Sequence, residues 1–193
     1  MADGARSGLK LLAVAVLVLG IIALGWLGAR WQEGIDRRLA PAQEILVYYA
    51  TPDAMGLVGL PVRVAPDEVT PQGVLNALFH GPRQLNGYWN PIPAGAEVQW
   101  VQVRGSLATV SLNQALVDNH PGGSAGELLT VYSMVHTVTQ LPGIERVQFL
   151  VEGQRVETLA GHLALDRPLT PDPGMILGTL ERLQTGTASP EAP

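Results

Sequence analysis

Apolar residues follow three rhythms along the chain. The first is an unbroken run at residues 11–29, LLAVAVLVLGIIALGWLGA, 19 residues without a charge. As a helix it would span about 28 Å, close to the ~30 Å hydrocarbon core of a bilayer. Trp26 and Trp31 stand near its far end, where aromatic rings mark a membrane interface. The run predicts a transmembrane anchor, with residues 1–10 as a cytoplasmic N-terminus. Residues 30–43 then form a juxtamembrane stem that ends near Pro41. A cleaved signal peptide is the competing reading, because Ala23-Leu24-Gly25 offers small residues; the length of the run favours the anchor. The body would then lie outside the cytoplasm.

The second rhythm is that of strands. EILVYYA (44–50) and LVGLPVRVA (57–65) are β-branched and aromatic, and Pro61 gives the second an edge character. EVQWVQVRGSLATVSLN (97–113) predicts a hairpin around Arg104-Gly105-Ser106. A β-bulge accounts for the slip of phase from Val98 and Trp100 to Val101 and Val103. Val147, Phe149 and Val151 mark a further strand, followed by a turn at Glu152-Gly153-Gln154 and a last strand.

The third rhythm is helical. Val74, Leu75, Leu78 and Phe79 make a stripe that opens on Thr70-Pro71 and stops at Gly81-Pro82. Leu128, Val131, Tyr132, Val135 and Val138 make a longer one over 124–141, with Ser124 and Glu127 as a capping box. The order β-β-α-β-β-α-β-β predicts an α+β two-layer sandwich. Its sheet would be mostly antiparallel or mixed, with two helices on one face, preceded by the N-terminal transmembrane helix. Residues 170–193 are rich in proline and predict a disordered tail. Met175, Ile176, Thr179, Leu180 and Leu183 offer a short amphipathic helix as the alternative there.

Composition narrows the chemistry. The chain has 193 residues and no cysteine, which removes disulfides, thiolate metal sites, a cysteine nucleophile and a lipid-bearing cysteine. Residues 1–40 carry five basic and three acidic groups, net +2; the remaining 153 carry seven and 14, net −7. An acidic body does not suit a phosphate backbone, so nucleic acid is not an expected partner. The histidines, His80, His120, His136 and His162, show no metal-ligand spacing, and no metal or cofactor is expected. His136 reads as a partly buried helix residue and His80 as a helix-end residue favoured by the dipole. Asp118-Asn119-His120 with Ser111 or Ser133 lacks the G-x-S-x-G turn that would expose a nucleophile. Gly122-Gly123-Ser124 precedes a helix and is a candidate anion site, although the same residues serve as a loop and cap. Arg83, Tyr88 and Trp89 lie in LFHGPRQLNGYWNPIPAG (78–95); the aromatics either cover the core or join Arg83 in a partner surface.

Taken in order, Gly81-Pro82, Ile92-Pro93-Ala94-Gly95, Val110-Ser111-Leu112, Thr137-Val138-Thr139-Gln140-Leu141-Pro142 and the closing Arg167-Pro168-Leu169 form a recurrent pattern. Over residues 44–169 it resembles the GerM-type (GerMN) domain of sporulation and spore-germination proteins. The resemblance implies a non-enzymatic, membrane-tethered domain outside the cytoplasm of a spore-forming bacterium. It also implies envelope protein partners or self-assembly, and a fold like the ring-building motif of secretion-type complexes. It carries over no catalytic residue. Many relatives are lipoproteins, whereas this chain lacks the cysteine and offers a helix in its place. The alternative is an extracytoplasmic enzyme or sensor acting on cell-wall material or a small anionic ligand.

Overall fold

In the computed structural model of the chain, residues 19–20, 23–27 and 41–179 are described. The chain divides into two units, Met1–Pro41 and Ala42–Pro193. In the first unit, residues 19–20 and 23–27 are helical and exposed. Among the described residues no helix is long and apolar enough to cross a membrane, and the anchor expected at 11–29 lies mostly outside them.

Among the described residues, the second unit carries eight strands and three α-helices. They are β1 (Gln43–Ala50), β2 (Leu57–Val64), α1 (Pro71–Phe79), β3 (Gln84–Leu85), β4 (Tyr88–Trp89), β5 (Val98–Arg104), β6 (Leu107–Leu112), α2 (Ala115–Asp118), α3 (Ser124–Thr139), β7 (Arg146–Val151) and β8 (Ile176–Thr179). The single sheet expected from the sequence is replaced by two. One has the order β3-β4-β1-β2-β8 and the other β5-β6-β7. β5 and β6 form the expected hairpin, and a bulge is present as expected, but between Val98 and Trp100 and not after Trp100. β7 then pairs parallel to β6, and the crossover between them contains α3.

The reason for two sheets is visible along β1. Leu46 lies opposite Pro61, which has no N–H, so the backbone groups of Leu46 point away from β2. On that side β4 reaches only Ala50. The remaining edge is filled by side chains of α3. Gln140 accepts from the Leu46 amide at 2.8 Å and donates to its carbonyl at 2.6 Å. Thr137 accepts from the Tyr48 amide at 3.3 Å. A helix thus stands where a strand from the β5–β6 hairpin would have paired.

This placement changes the character of α3. The structure buries every residue from Leu129 to Val138 except the half-buried Tyr132, so there is no single apolar stripe. The helix packs on β1, on β7 and on α1. The two helices therefore do not share one face of one sheet. Thr130, Ser133, His136 and Thr137 can go inside because each finds a hydrogen-bond partner. One continuous core runs from Val47, Tyr49 and Leu60 through Val74 and Leu78 to Val110, Met134 and Phe149.

Three further expectations give way. Gly123, with φ 80°, is the N-cap of α3, and neither it nor Ser124 caps through a side chain. The strand expected after Gly153 is absent among the described residues. The β pairing of that segment among the described residues is limited to two isolated bridges, Val151 to Gln154 and Val147 to Leu169. The supposed tail is ordered at residues 173–179, as a 3-10 turn and β8. Met175 and Ile176 pack on a second cluster built from Tyr48, Ala50, Leu57 and Leu129. The apolar residues at 175 and 176 serve a strand edge, not the amphipathic helix. Residues 180–193 lie outside the described residues.

Candidate functional site

The segment between α1 and β5 is the richest in unusual residues. α1 begins as expected, with Thr70 Oγ1 accepting from the Gly73 amide at 3.0 Å. It ends against Tyr49. A Cβ on Gly81 would lie 2.4 Å from the Tyr49 hydroxyl and 2.8 Å from the Ala77 carbonyl oxygen, so only glycine fits. Tyr49 in turn donates to the Pro82 carbonyl at 3.0 Å. Asn86 (φ 52°) and Gly87 (φ 86°) make the tight turn between β3 and β4. Buried Asn90 then ties three pieces together. Its Nδ2 donates to the Leu78 carbonyl at 2.7 Å, its Oδ1 accepts from the Ile92 amide at 3.0 Å, and its own amide donates to the Arg83 carbonyl at 2.9 Å.

The three candidate surface residues do not share a face. Arg83 is exposed, and its guanidinium donates to the Ile92 carbonyl. Tyr88 and Trp89 are both half-buried on β4, but neighbours on a strand point to opposite sides. Tyr88 packs on the main core, whereas Trp89 packs on the second cluster and donates through Nε1 to the Thr51 carbonyl at 2.8 Å.

The other candidate lies at the start of α3. Gly122 and Gly123 both have positive φ, and space around them is open. The Gly122 amide, however, already donates to His120 Nδ1 at 3.0 Å. That bond makes Nδ1 an acceptor, so neutral His120 carries its proton on Nε2. Nε2 lies 3.2 Å from Thr130 Oγ1, and Thr130 donates onward to the Pro91 carbonyl at 2.9 Å. One turn into the helix sits Glu127, fully buried. Its Oε1 accepts from the Leu159 amide and its Oε2 from the His162 amide, each at 2.8 Å. Burial works to raise its pKa. Backbone N–H groups of Ala160, His162, Leu159 and Leu163 outweigh burial, and the carboxyl stays below its ordinary 4.5. The helix start therefore already holds an anion, supplied by the chain.

His136 is 5% exposed, between the rings of Tyr48 and Tyr132 at centroid distances of 5.3 and 6.1 Å. Its Nε2 lies 3.0 Å from the Asp172 carbonyl oxygen. Burial lowers the pKa of His136, opposed by Asp172. Burial likewise lowers that of His120, opposed by the Glu127 charge and a backbone bond at Gly126. Both folded-state values lie under the ordinary 6.5, so below that pH the unfolded chain binds more protons than the folded one. Stability therefore falls as pH drops from about 6.5 toward the folded values. A urea midpoint that declines from about pH 7 to pH 5, with a shallower decline in His120→Asn/His136→Asn, checks this. Equal slopes in the two proteins would refute it.

An open groove of about 600 Å³ lies between the end of β2 and α1, with Arg63, Asp67, Glu68 and His80 around it. No group of three or more His, Asp or Glu that could hold a metal ion occurs among the described residues.

Sequence reasoning missed Gln140, Thr137 and Asn90 as positioning residues. The signal was present for the first two, since residues three apart share a helix face. Both stand in the Thr-x-x-Gln-x-Pro step, and their shared target is the edge of β1.

A model of the Germane family, described by sporulation and spore germination, matches residues 46–157. The fold is similar to that of the tandem GerMN domains of the sporulation protein GerM from Bacillus subtilis. Identity is 18%, the match covers 71% of this chain and 47% of that one, and the TM-score is 0.55. The first GerMN domain of the same protein gives 19% identity over 68% of this chain and 95% of that one, with a TM-score of 0.50. A search of curated proteins finds no match. The family match spans more than half of the sequence, and the chain belongs to the Germane family of sporulation and spore germination.

Proposed function

We propose that this chain is a membrane-tethered, non-catalytic interaction domain that works outside the cytoplasm in sporulation or spore germination. The observation that carries the non-catalytic reading is where the pattern residues go. Gly81-Pro82 receives Tyr49, Asn90 holds Ile92, and Thr137 and Gln140 close the edge of β1. Residues 92–95 are held in the same way, because Asn119 donates to the Ala94 carbonyl at 2.7 Å and Asn113 to the Gly95 carbonyl at 2.9 Å. Each is a joint between elements. The apolar run at 11–29 supports the tether, and membership of a sporulation and spore-germination family supports the process.

Two exposed places come first for an envelope partner. One is the β3–β4 hairpin, with Arg83 exposed just before it and Tyr88 and Trp89 half-buried on its two opposite faces. The other is the edge strand β5, where Trp100 and Val103 are each 42% exposed. Strands of this kind accept another strand or an aromatic-lined partner. Deleting the gene should lower the yield of heat-resistant spores or slow their germination, and the wild-type copy should restore both. Trp100→Ser should leave stability within about 0.5 kcal/mol yet fail to restore the phenotype. Normal spores from the deletion strain would end the sporulation reading. Full rescue by Trp100→Ser would move the contact to the hairpin.

A further inference from the structure

β5 is the edge of the sheet β5-β6-β7, and no described strand pairs with its outer side. The two-residue turn Gly105-Ser106 makes Arg104 and Leu107 a hydrogen-bonded pair, and Gln102 with Thr109 the next one. The backbone groups of Val101 and Val103 therefore point away from β6. Past the bulge the edge is already taken. The Val98 carbonyl accepts from Gln72 of α1 at 3.3 Å, and Gln99 Nε2 donates to Glu152 at 2.7 Å. The open stretch is short and centred on Gln102. Val101 and Val103 lie opposite Val110 and Ala108, on the core side of the sheet. Trp100, Gln102 and Arg104 lie on the other face, and all three are exposed. The Arg104 side chain has no hydrogen-bond or ion-pair partner among the described residues.

We propose that two copies of this chain join through β5, antiparallel about a two-fold axis at Gln102, so that their three-stranded sheets merge into one continuous sheet. The proposal rests on the reading of the chain as an interaction domain and names the occupant of the β5 edge.

The edge is complementary to itself in this register. Val101 stands opposite Val103 of the second copy, and the outward backbone groups of the two meet as a hydrogen-bonded pair. The two-fold repeats that pair on the other side of the axis. On the outer face Trp100 comes opposite Arg104 of the second copy, a guanidinium against an indole, and this contact is also made twice. The two Arg104 side chains stand about 13 Å apart along the strand, beyond the ~10 Å over which exposed charges repel. Neighbouring registers fit less well. An axis at Val101 carries Arg104 to Val98, whose carbonyl Gln72 already holds. An axis at Val103 sets Val101 against Gly105 and Trp100 against Ser106, both in the turn. A contact of this size is weak in dilute solution. The tether proposed above would hold both copies in one membrane and raise their effective concentration.

The chain has no cysteine, so one introduced thiol reports one contact. At the axis Gln102 faces Gln102 of the second copy as a non-hydrogen-bonded pair, with Cα atoms about 4.5 Å apart, a separation that a disulfide spans. Full-length Gln102→Cys, treated in cells with a mild membrane-permeant oxidant, should run as a disulfide-linked dimer on a non-reducing gel. Arg104→Cys is the control. Its two thiols start about 13 Å apart and should cross-link about tenfold more slowly. Arg104→Glu added to Gln102→Cys should slow the dimer about tenfold, because both Trp–Arg contacts are lost. Gln102 and Arg104 are exposed, so these changes leave folding nearly untouched. No dimer from Gln102→Cys, equal rates at 102 and 104, or no slowing by Arg104→Glu would overturn the proposal. The gel is independent of the spore phenotype. A spore defect on deletion without cross-linking would remove the pairing and leave the interaction domain standing. Cross-linking in a chain whose deletion leaves spores normal would keep the pairing and remove the sporulation role.

Discussion

Glu127→Ala is expected to lower unfolding stability by about 3–5 kcal/mol, one of the largest effects of any single change in the chain. The carboxylate is fully buried and both oxygens accept backbone amides, from Leu159 and His162. Removing it leaves those amides facing a cavity, and an orphaned buried donor costs more than the net value of the bond it lost. Glu127→Gln should cost less, about 1–2 kcal/mol. It keeps one acceptor but turns an NH2 group toward an amide N–H. Acid dependence separates charge from shape. The folded-state pKa is depressed, so the stabilisation is fully present above the ordinary 4.5 and is lost as pH falls through the folded value. That part of the acid slope should vanish in Glu127→Gln. Urea unfolding at several pH values measures both effects. A loss under about 1 kcal/mol in Glu127→Ala would show that the loop at 159–163 stands without its carboxylate.

The same residue shows where sequence reading stops. Ser124 and Glu127 have the spacing of a capping box, and the helix does begin there, but the carboxylate turns inward to a loop 32 residues away. The partner is set by tertiary structure and leaves no local trace. Elements whose cause is local were legible. Thr70-Pro71 starts α1, Gly81-Pro82 ends it, and a bulge interrupts β5, although it falls between Val98 and Trp100, one step before the slip of phase. The division into two sheets was not legible, because it depends on which element claims the edge of β1. Nor was β8, whose four residues pair with a strand about 120 positions earlier. A proline-rich stretch predicts disorder only while its apolar residues have nowhere to go. Here Met175 and Ile176 find Leu57 and Tyr48. The candidate site fared similarly. Periodicity could not tell that Tyr88 and Trp89 belong to different clusters, although adjacency on a strand carried the hint.

Gln140→Leu is expected to cost about 2–3 kcal/mol and to change how the domain associates. Gln140 acts toward β1 as a neighbouring strand would, accepting from the Leu46 amide and donating to its carbonyl. It also donates to the Thr137 carbonyl at 2.6 Å, which fixes the side chain before it meets the strand. Leucine keeps similar bulk, so the loss isolates the hydrogen bonds from packing. Thr137→Val removes the next contact, at Tyr48, and should cost about 1 kcal/mol. The two changes should not add, since they open one edge. With that edge unfilled, β1 presents free amide and carbonyl groups of the kind that recruit a second strand. Urea unfolding should show the lost stability, and sedimentation should show self-association that rises with concentration. A Gln140→Leu protein as stable and as monomeric as the wild type would remove this account of the Thr-x-x-Gln step. If the account holds, the helix end closes the β1 edge within the fold, and a strand-adding partner is directed to β5.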